Sequence, residues 1–303
     1  MRNLPQPTIA CRALGFFAGV AFAFSALWNP VLADGPSNGG IVSIGGTTTE
    51  IIYALGLADK IKAVDTTSLY PPEARKKPNI GYMRTLAVEP ILAMAPSLVI
   101  ADSRSGPATV LKQLTQAGIS VVKVPAEPTV EGVYERIGII AKTLKRKRQG
   151  DDLIAKLRRQ IDAVSKEVAK KTTKPKVLFL LSIGQGGAPL SGGANTSSDG
   201  IINLAGGINA AQGFRGYKPI SPEAIIEAKP DVLLITQRSL KRFGGKEALF
   251  KVPAVIATPA GKARRVVTMD GLLLLGFGPR IGIAIKQLAD GIHAEPSQKA
   301  TAQ

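Results

Sequence analysis

One cysteine, Cys11, and one histidine, His293, are all that the 303 residues hold of two side chains on which many metal sites and catalytic centres depend. Cys11 stands ahead of an apolar run, ALGFFAGVAFAFSAL at 13–27, which follows Arg2 and Arg12 and leads through NPVLA to Ala33. Basic start, short apolar core and the small-residue spacing Val31-x-Ala33 read as a secretory signal peptide over residues 1–33. That core is short of the ~20 residues a spanning helix needs, and a lipid-bearing cysteine would follow it rather than precede it. The mature chain then has no cysteine, which excludes disulfides and thiolate metal sites and leaves the fold to its hydrophobic cores. A single histidine excludes a Ser-His triad, a His-rich zinc centre and a two-histidine facial triad. His293 itself opens the polar stretch HAEPSQKATAQ, read as a disordered terminus, with a flexible tail at 295–303.

Long apolar runs are missing beyond the leader, which points to a soluble protein of the periplasm or cell exterior. The Gly-rich IGQGGAPLSGG at 183–193 matches neither G-x-G-x-x-G nor a P-loop and reads as a mobile or turning segment. Together these absences argue for a chain that is not an enzyme. Acidic residues are scarce too: 22 against 39 basic ones, for a net charge of +17. The leader carries two of the basic residues and none of the acidic ones, so the remainder keeps about +15. Export argues against nucleic acid as the partner, and the densest run, KTLKRKR at 142–148, reads as a solvated helix face. The remaining charge suits the steering of a small anion.

What is present alternates. The β-branched runs IVSIGG (41–46), KIKAV (60–64), SLVIAD (97–102) and VVKVP (121–125) are separated by helical stretches, the signature of a parallel sheet. Thr47-x-x-Glu50 reads as a capping box opening the first helix. A helical pattern then runs from 130 to 171, and a second α/β set follows with KVLFLLS (176–182), DVLLIT (231–236) and RRVVTMD (264–270). The halves share a phrase: VEPILAMAPSLVIA from Val88 and PEAIIEAKPDVLLIT from Pro222 place Glu89 and Glu223 each seven residues before a proline that opens an apolar strand. The fold expected is α/β, with two Rossmann-like lobes on parallel sheets: an N-terminal lobe over 34–129, one long backbone helix over 130–171 and a C-terminal lobe over 172–294. The ligand site then lies between the lobes, beyond the carboxyl ends of the strands.

The loops there carry cations and phenols: Tyr70, Tyr82, Arg84, Arg104, Arg215, Tyr217, Lys218 and Arg238. Singly each reads as a surface residue; together they suggest an anion pocket. Pro71 and Pro72 stiffen the backbone beside Tyr70, so its ring is aimed with little entropy left to lose. A phenol near a cation becomes a strong ligand, and ferric haem is a cofactor that proteins hold through tyrosinate. A core aromatic with a bonded hydroxyl is the other reading of Tyr70.

DTTSLYPPEA (65–74), IGYMRTLAVEPILAMAPSLVIA (80–101), AGGINA (205–210), GYKPISPEAI (216–225) and LLLLGFGPR (272–280) together resemble the periplasmic haem-binding proteins of bacterial haem ABC importers. These are helical-backbone periplasmic binding proteins, and the resemblance covers nearly the whole mature chain. It implies haem held between the lobes with Tyr70 as axial iron ligand, and Glu89 and Glu223 meeting arginines on the two subunits of an inner-membrane ABC permease. It implies a monomeric carrier, with cobalamin or an Fe(III) siderophore as the alternative cargo of the same fold. For the propionates the candidates are Arg84 and Arg238, with Arg104 and Lys218 behind them; Tyr82, Arg215 and Tyr217 complete the proposed lining. Where some relatives carry an arginine two residues after the tyrosine, this chain has Pro72, so another cation must serve the phenolate.

Overall fold

A computed structural model describes residues 39–184 and 187–295; the expected leader with Cys11, and the tail beyond Glu295, lie outside them. Each apolar run expected as a strand forms one. In the first lobe β1 (Ile41–Ile44), α1 (Gly46–Ala54), β2 (Ile61–Val64), α2 (Val88–Leu92), β3 (Leu98–Asp102), α3 (Ala108–Gln116) and β4 (Ser120–Val124) follow in order. The four strands make a parallel sheet in the order β2-β1-β3-β4. β1 is buried along its whole length, as a strand covered on both faces requires.

Residues 130–171 differ from the single helix expected. They form two helices, α4 (Val130–Thr143) and α5 (Lys147–Ala169). The break is a Schellman motif: the Arg146 N–H donates to the Ala141 carbonyl, the Lys145 N–H donates to Lys142, and Lys145 takes the left-handed φ of 55°. Gly150 lets α5 turn back along α4, since any Cβ there would collide with Ala141. The long backbone helix is therefore α5 alone, which packs on α4 at one side and on the last helix of the second lobe at the other.

The second lobe comprises β5 (Lys176–Gly184), β6 (Gly187–Gly192), α6 (Ser197–Leu204), β7 (Ile208–Asn209), β8 (Tyr217–Pro219), α7 (Pro222–Ala228), β9 (Val232–Thr236) and α8 (Gln237–Phe243). Three short helices, α9–α11 (Gly245–Leu249, Pro253–Ile256, Pro259–Lys262), lead to β10 (Val266–Met269), α12 (Gly271–Leu275) and α13 (Ile281–Ile292). Its sheet runs β10-β9-β5-β6-β8, with β7 also on β5. It is mixed: β9 and β10 lie parallel to β5, whereas β6 is antiparallel to both β5 and β8. The Gly-rich stretch read as mobile or turning supplies the end of β5 and the whole of β6, with residues 185–186 outside the description. Small residues there let strands and loops approach closely, as Gly193 does beneath Phe214.

His293 also departs from expectation. It caps α13, and its Nε2 lies 3.1 Å from the Ala205 carbonyl oxygen, so it belongs to the packed lobe and not to a tail.

The largest core crosses between the lobes. Ile51 and Ile52 of α1, Ile137 and Ile140 of α4, Leu157 and Ile161 of α5, and Ile285 and Leu288 of α13 belong to one continuous buried cluster. Arg136 of α4 is 1% exposed, donating from Nε to the Pro125 carbonyl and from Nη1 to the carbonyls of Gly276 and Phe277 in the second lobe. Replacing it with leucine leaves three carbonyls without this donor. Arg136→Leu is expected to lower the unfolding free energy by about 3 kcal/mol or more, read as a fall in the urea midpoint.

Candidate functional site

The loop after β2 is built on Asp65. Its Oδ1 accepts from the Gly45 N–H and the Ser68 hydroxyl, and its Oδ2 from the Thr67 N–H and hydroxyl, at 2.7–3.0 Å. A buried carboxylate with four donors is fully satisfied, so it fixes the start of the loop against β1. Further on, Arg75 Nε donates to the Leu69 carbonyl at 2.9 Å, and a short 3-10 turn over Pro72–Lys76 begins at the second proline. Tyr70, held between these anchors, is 39% exposed, which removes the core-aromatic reading.

Its ring is covered by Arg280, whose guanidinium carbon stands 3.6 Å from the ring centroid. Arg280 comes from the loop before α13 and is held by Glu50 of α1 in a two-pronged pair, Nε to Oε1 and Nη2 to Oε2, each 2.8 Å. The capping box expected at Thr47-x-x-Glu50 does not form: Gly45 is the N-cap and no side chain caps the helix. Both side chains are spent across the lobes, Glu50 on Arg280 and the Thr47 hydroxyl on the Gly276 carbonyl at 2.8 Å. Burial pushes the Glu50 carboxyl up, and the hydrogen bonds and charge of Arg280 oppose that rise. Sequence reading missed Arg280 and Glu50 as site residues, because their partnership spans 230 positions.

A cleft of about 910 Å³ opens between the lobes. Tyr82, Arg84 and Arg104 line it from the first lobe and Arg238 and Arg242 from the second. Leu69, Met83, Leu181, Leu272 and Leu275 give it an apolar floor. Tyr70 adjoins this cavity through Leu69 and is not itself in the lining. Arg215, Tyr217 and Lys218 are also outside the lining; Tyr217 and Lys218 lie on β8, where Tyr217 packs edge-on to Phe179 at 6.4 Å between centroids.

The arginines are not equivalent. Arg104 is already engaged: its Nε and Nη2 donate to the two oxygens of Asp102 at 2.9 and 2.7 Å. Among the described residues no carboxylate pairs with Arg84, Arg238 or Arg242. No group of three or more His, Cys, Asp or Glu suited to a metal ion occurs among those residues either. Nor is any of their helices long and apolar enough to cross a membrane. Glu89 and Glu223 are both exposed, each the second residue of its short helix.

Two α/β lobes, one on a parallel and one on a mixed sheet, a helical connector and a cleft between them define a ligand-binding receptor. The chain belongs to the periplasmic binding protein family, whose profile matches residues 41–272. It is similar to the solved apo periplasmic heme-binding protein RhuT of Roseiflexus sp. RS-1: 40% identity, 84% of this chain and 97% of that one covered, TM-score 0.81. It is also similar to the periplasmic heme-binding protein HutB of Vibrio cholerae, at 36% identity over 84% of this chain and 99% of that one, with a TM-score of 0.76. Among curated relatives, a vitamin B12-binding protein of Vibrio campbellii shares 29% identity over 70% of this chain and 75% of its own length.

The buried Asp102 gives the site a pH signature. Burial would raise its carboxyl, but the hydrogen bonds and charge of Arg104 outweigh that and hold it below the usual range. The unfolded state thus binds the proton more readily, and the stabilisation is present above an unfolded value of ~3.9 and lost as pH falls through the native one. Wild type should therefore lose stability more steeply than Asp102→Asn between about pH 4 and pH 2, read by denaturant unfolding at each pH.

Proposed function

We propose that this protein is a periplasmic carrier that captures ferric haem in the inter-lobe cleft and hands it to an ABC permease of the inner membrane. The observation that carries the reading is Tyr70: a half-exposed phenol on an anchored loop beside an apolar, arginine-rimmed cleft, with a guanidinium over its ring. The phenolate oxygen of Tyr70 ligates the iron. Arg280, from the opposite lobe and paired with Glu50, lays its guanidinium over the ring, the group nearest to serving where the Pro72 position lacks an arginine. The leucines and Met83 receive the face of the macrocycle. Arg84 and Arg238, with Arg242 beside them, take the two propionates through charge-assisted bonds, while Arg104 is kept in place by Asp102.

The similarity to heme-binding proteins of known structure supports this reading, and export by the leader at 1–33 completes it. The curated vitamin B12-binding relative favours a second reading, a corrinoid carrier of the same fold. The two separate on Tyr70, since a corrinoid needs no phenolate.

Purified mature protein titrated with hemin should give a one-to-one visible spectrum of high-spin ferric tyrosinate type, and Tyr70→Phe should lose it. An unchanged spectrum and affinity in Tyr70→Phe would reject Tyr70 as the ligand, and tight hydroxocobalamin binding that ignores the substitution would favour the corrinoid. Arg84→Ala and Arg238→Ala should each weaken hemin binding about tenfold, the loss expected for a hydrogen bond to a charged group. Arg104→Ala measured alongside should weaken it less and destabilise the fold more, because it strips Asp102 of its partner.

A further inference from the structure

We propose that each lobe docks on the permease through a two-part contact, an acid with a large apolar side chain beside it: Glu89 with Leu92 in the first lobe, Glu223 with Ile226 in the second. The inference rests on the reading that a permease of two like subunits receives this carrier, and it adds the apolar half of the contact.

The same device is built twice. In each lobe the glutamate is the second residue of a short helix, α2 or α7. Two residues on, Ile91 or Ile225 is buried in its lobe's outer core. Three residues on, one helical turn from the acid, Leu92 or Ile226 stands in solvent at 40% and 42% exposure. Six residues on, Ala95 and Lys229 take left-handed φ values of 43° and 42°. Neither is glycine, so both lobes retain the cost of that backbone. A proline then opens the way to β3 or β9.

A scattered exposed leucine needs no explanation. The same exposed position beside the same acid in both lobes, with the neighbouring isoleucine pinning each helix, is different. The buried isoleucine fastens the helix, and the part of Leu92 or Ile226 left in solvent gains nothing within this chain. An acid alone on a wet surface contributes little to docking. An apolar neighbour that excludes water strengthens its ion pair, as the ring around an interface hot spot does. The chain is strongly basic, so it meets a basic partner only through local acids of this kind. Two like devices fit a two-fold pair of membrane subunits, each presenting a basic side chain next to an apolar socket.

The test uses the haem-loaded mature chain and the haem permease, with its ATPase subunits, of the bacterium that encodes it, reconstituted in nanodiscs. Docking affinity and stimulation of ATP hydrolysis are measured for wild type, Leu92→Ser, Ile226→Ser, the double variant and Glu89→Ala/Glu223→Ala, with hemin titration and thermal melting as controls. Each single serine variant should dock about tenfold more weakly and the double about a hundredfold, the two sites being independent, with hemin titration unchanged. Docking by the double serine variant within about twofold of wild type, while the double alanine variant loses it, would overturn the apolar half alone. Wild type failing to dock, or the acids proving dispensable, would overturn the permease reading and this inference with it. Self-association of wild type abolished by the serine variants would overturn it in favour of a second copy of the chain.

Discussion

Two guanidiniums, one from each side, tie the lobes together, and the geometry of the site follows from them. Arg136 reaches from α4 to the carbonyls of Gly276 and Phe277, and Arg280 reaches from the end of that same loop to Glu50 of α1. Removing either donor would leave charge or carbonyl groups buried without their partners, which costs far more than a surface ion pair contributes. The loop 276–280 is thus fixed on the first lobe although it belongs to the second. Because Arg280 also lies over Tyr70, the bond that sets the spacing of the lobes also sets the surroundings of the phenol. The continuous apolar core behind the cleft works in the same direction, since opening the lobes widely would part side chains packed across the connector.

The strands were legible because parallel strands covered on both faces are written as unbroken β-branched runs, and β1 and β9 are buried at every position. The connector was misread for a physical reason. Apolar periodicity continues on either side of Leu144, and the stop between the helices is a lysine in the left-handed region, where glycine is the usual signal. Gly132, Gly138 and Gly150 are the weak points of the pattern by residue type, and of these Gly150 bears on the turn, through the close approach it allows to Ala141. The Gly-rich stretch reads as mobile or turning, and the chain does reverse there between the antiparallel β5 and β6; its glycines also serve close packing beneath β8 and Phe214, which no motif announces.

The site was legible in part. Pro71 and Pro72 marked Tyr70 without any knowledge of the fold, and the strand-end loops delivered Tyr82, Arg84, Arg104 and Arg238 to one cavity. Arg215, Tyr217 and Lys218 sit on or near an edge strand that no β-branched run announces, so their distance from the cleft lining could not be read. Thr47 and Glu50 satisfied a local capping pattern while their actual partners lay more than 200 residues away. A local rule competes with tertiary bonding at such positions, and the tertiary bonds win where burial makes an unpaired arginine costly.

The distribution of charge around the cleft bears on which macrocycle fits. A guanidinium already paired, as Arg104 is with Asp102, has its fork occupied and serves mainly to shape the wall. Arg84, Arg238 and Arg242 have no such partner among the described residues, so they remain available to a ligand that brings negative charge. Haem carries two carboxylates and an oxidised iron, a hard centre that favours a phenolate oxygen. A corrinoid is fringed mainly by neutral amides, which accept weaker bonds from a guanidinium than a carboxylate does and would leave the charge of the rim uncompensated. On the haem reading, the same rim compensates the charge of a porphyrin's two carboxylates better than it serves the neutral amides of a corrin, and that preference rests on which arginines of one fold are left without an internal acid.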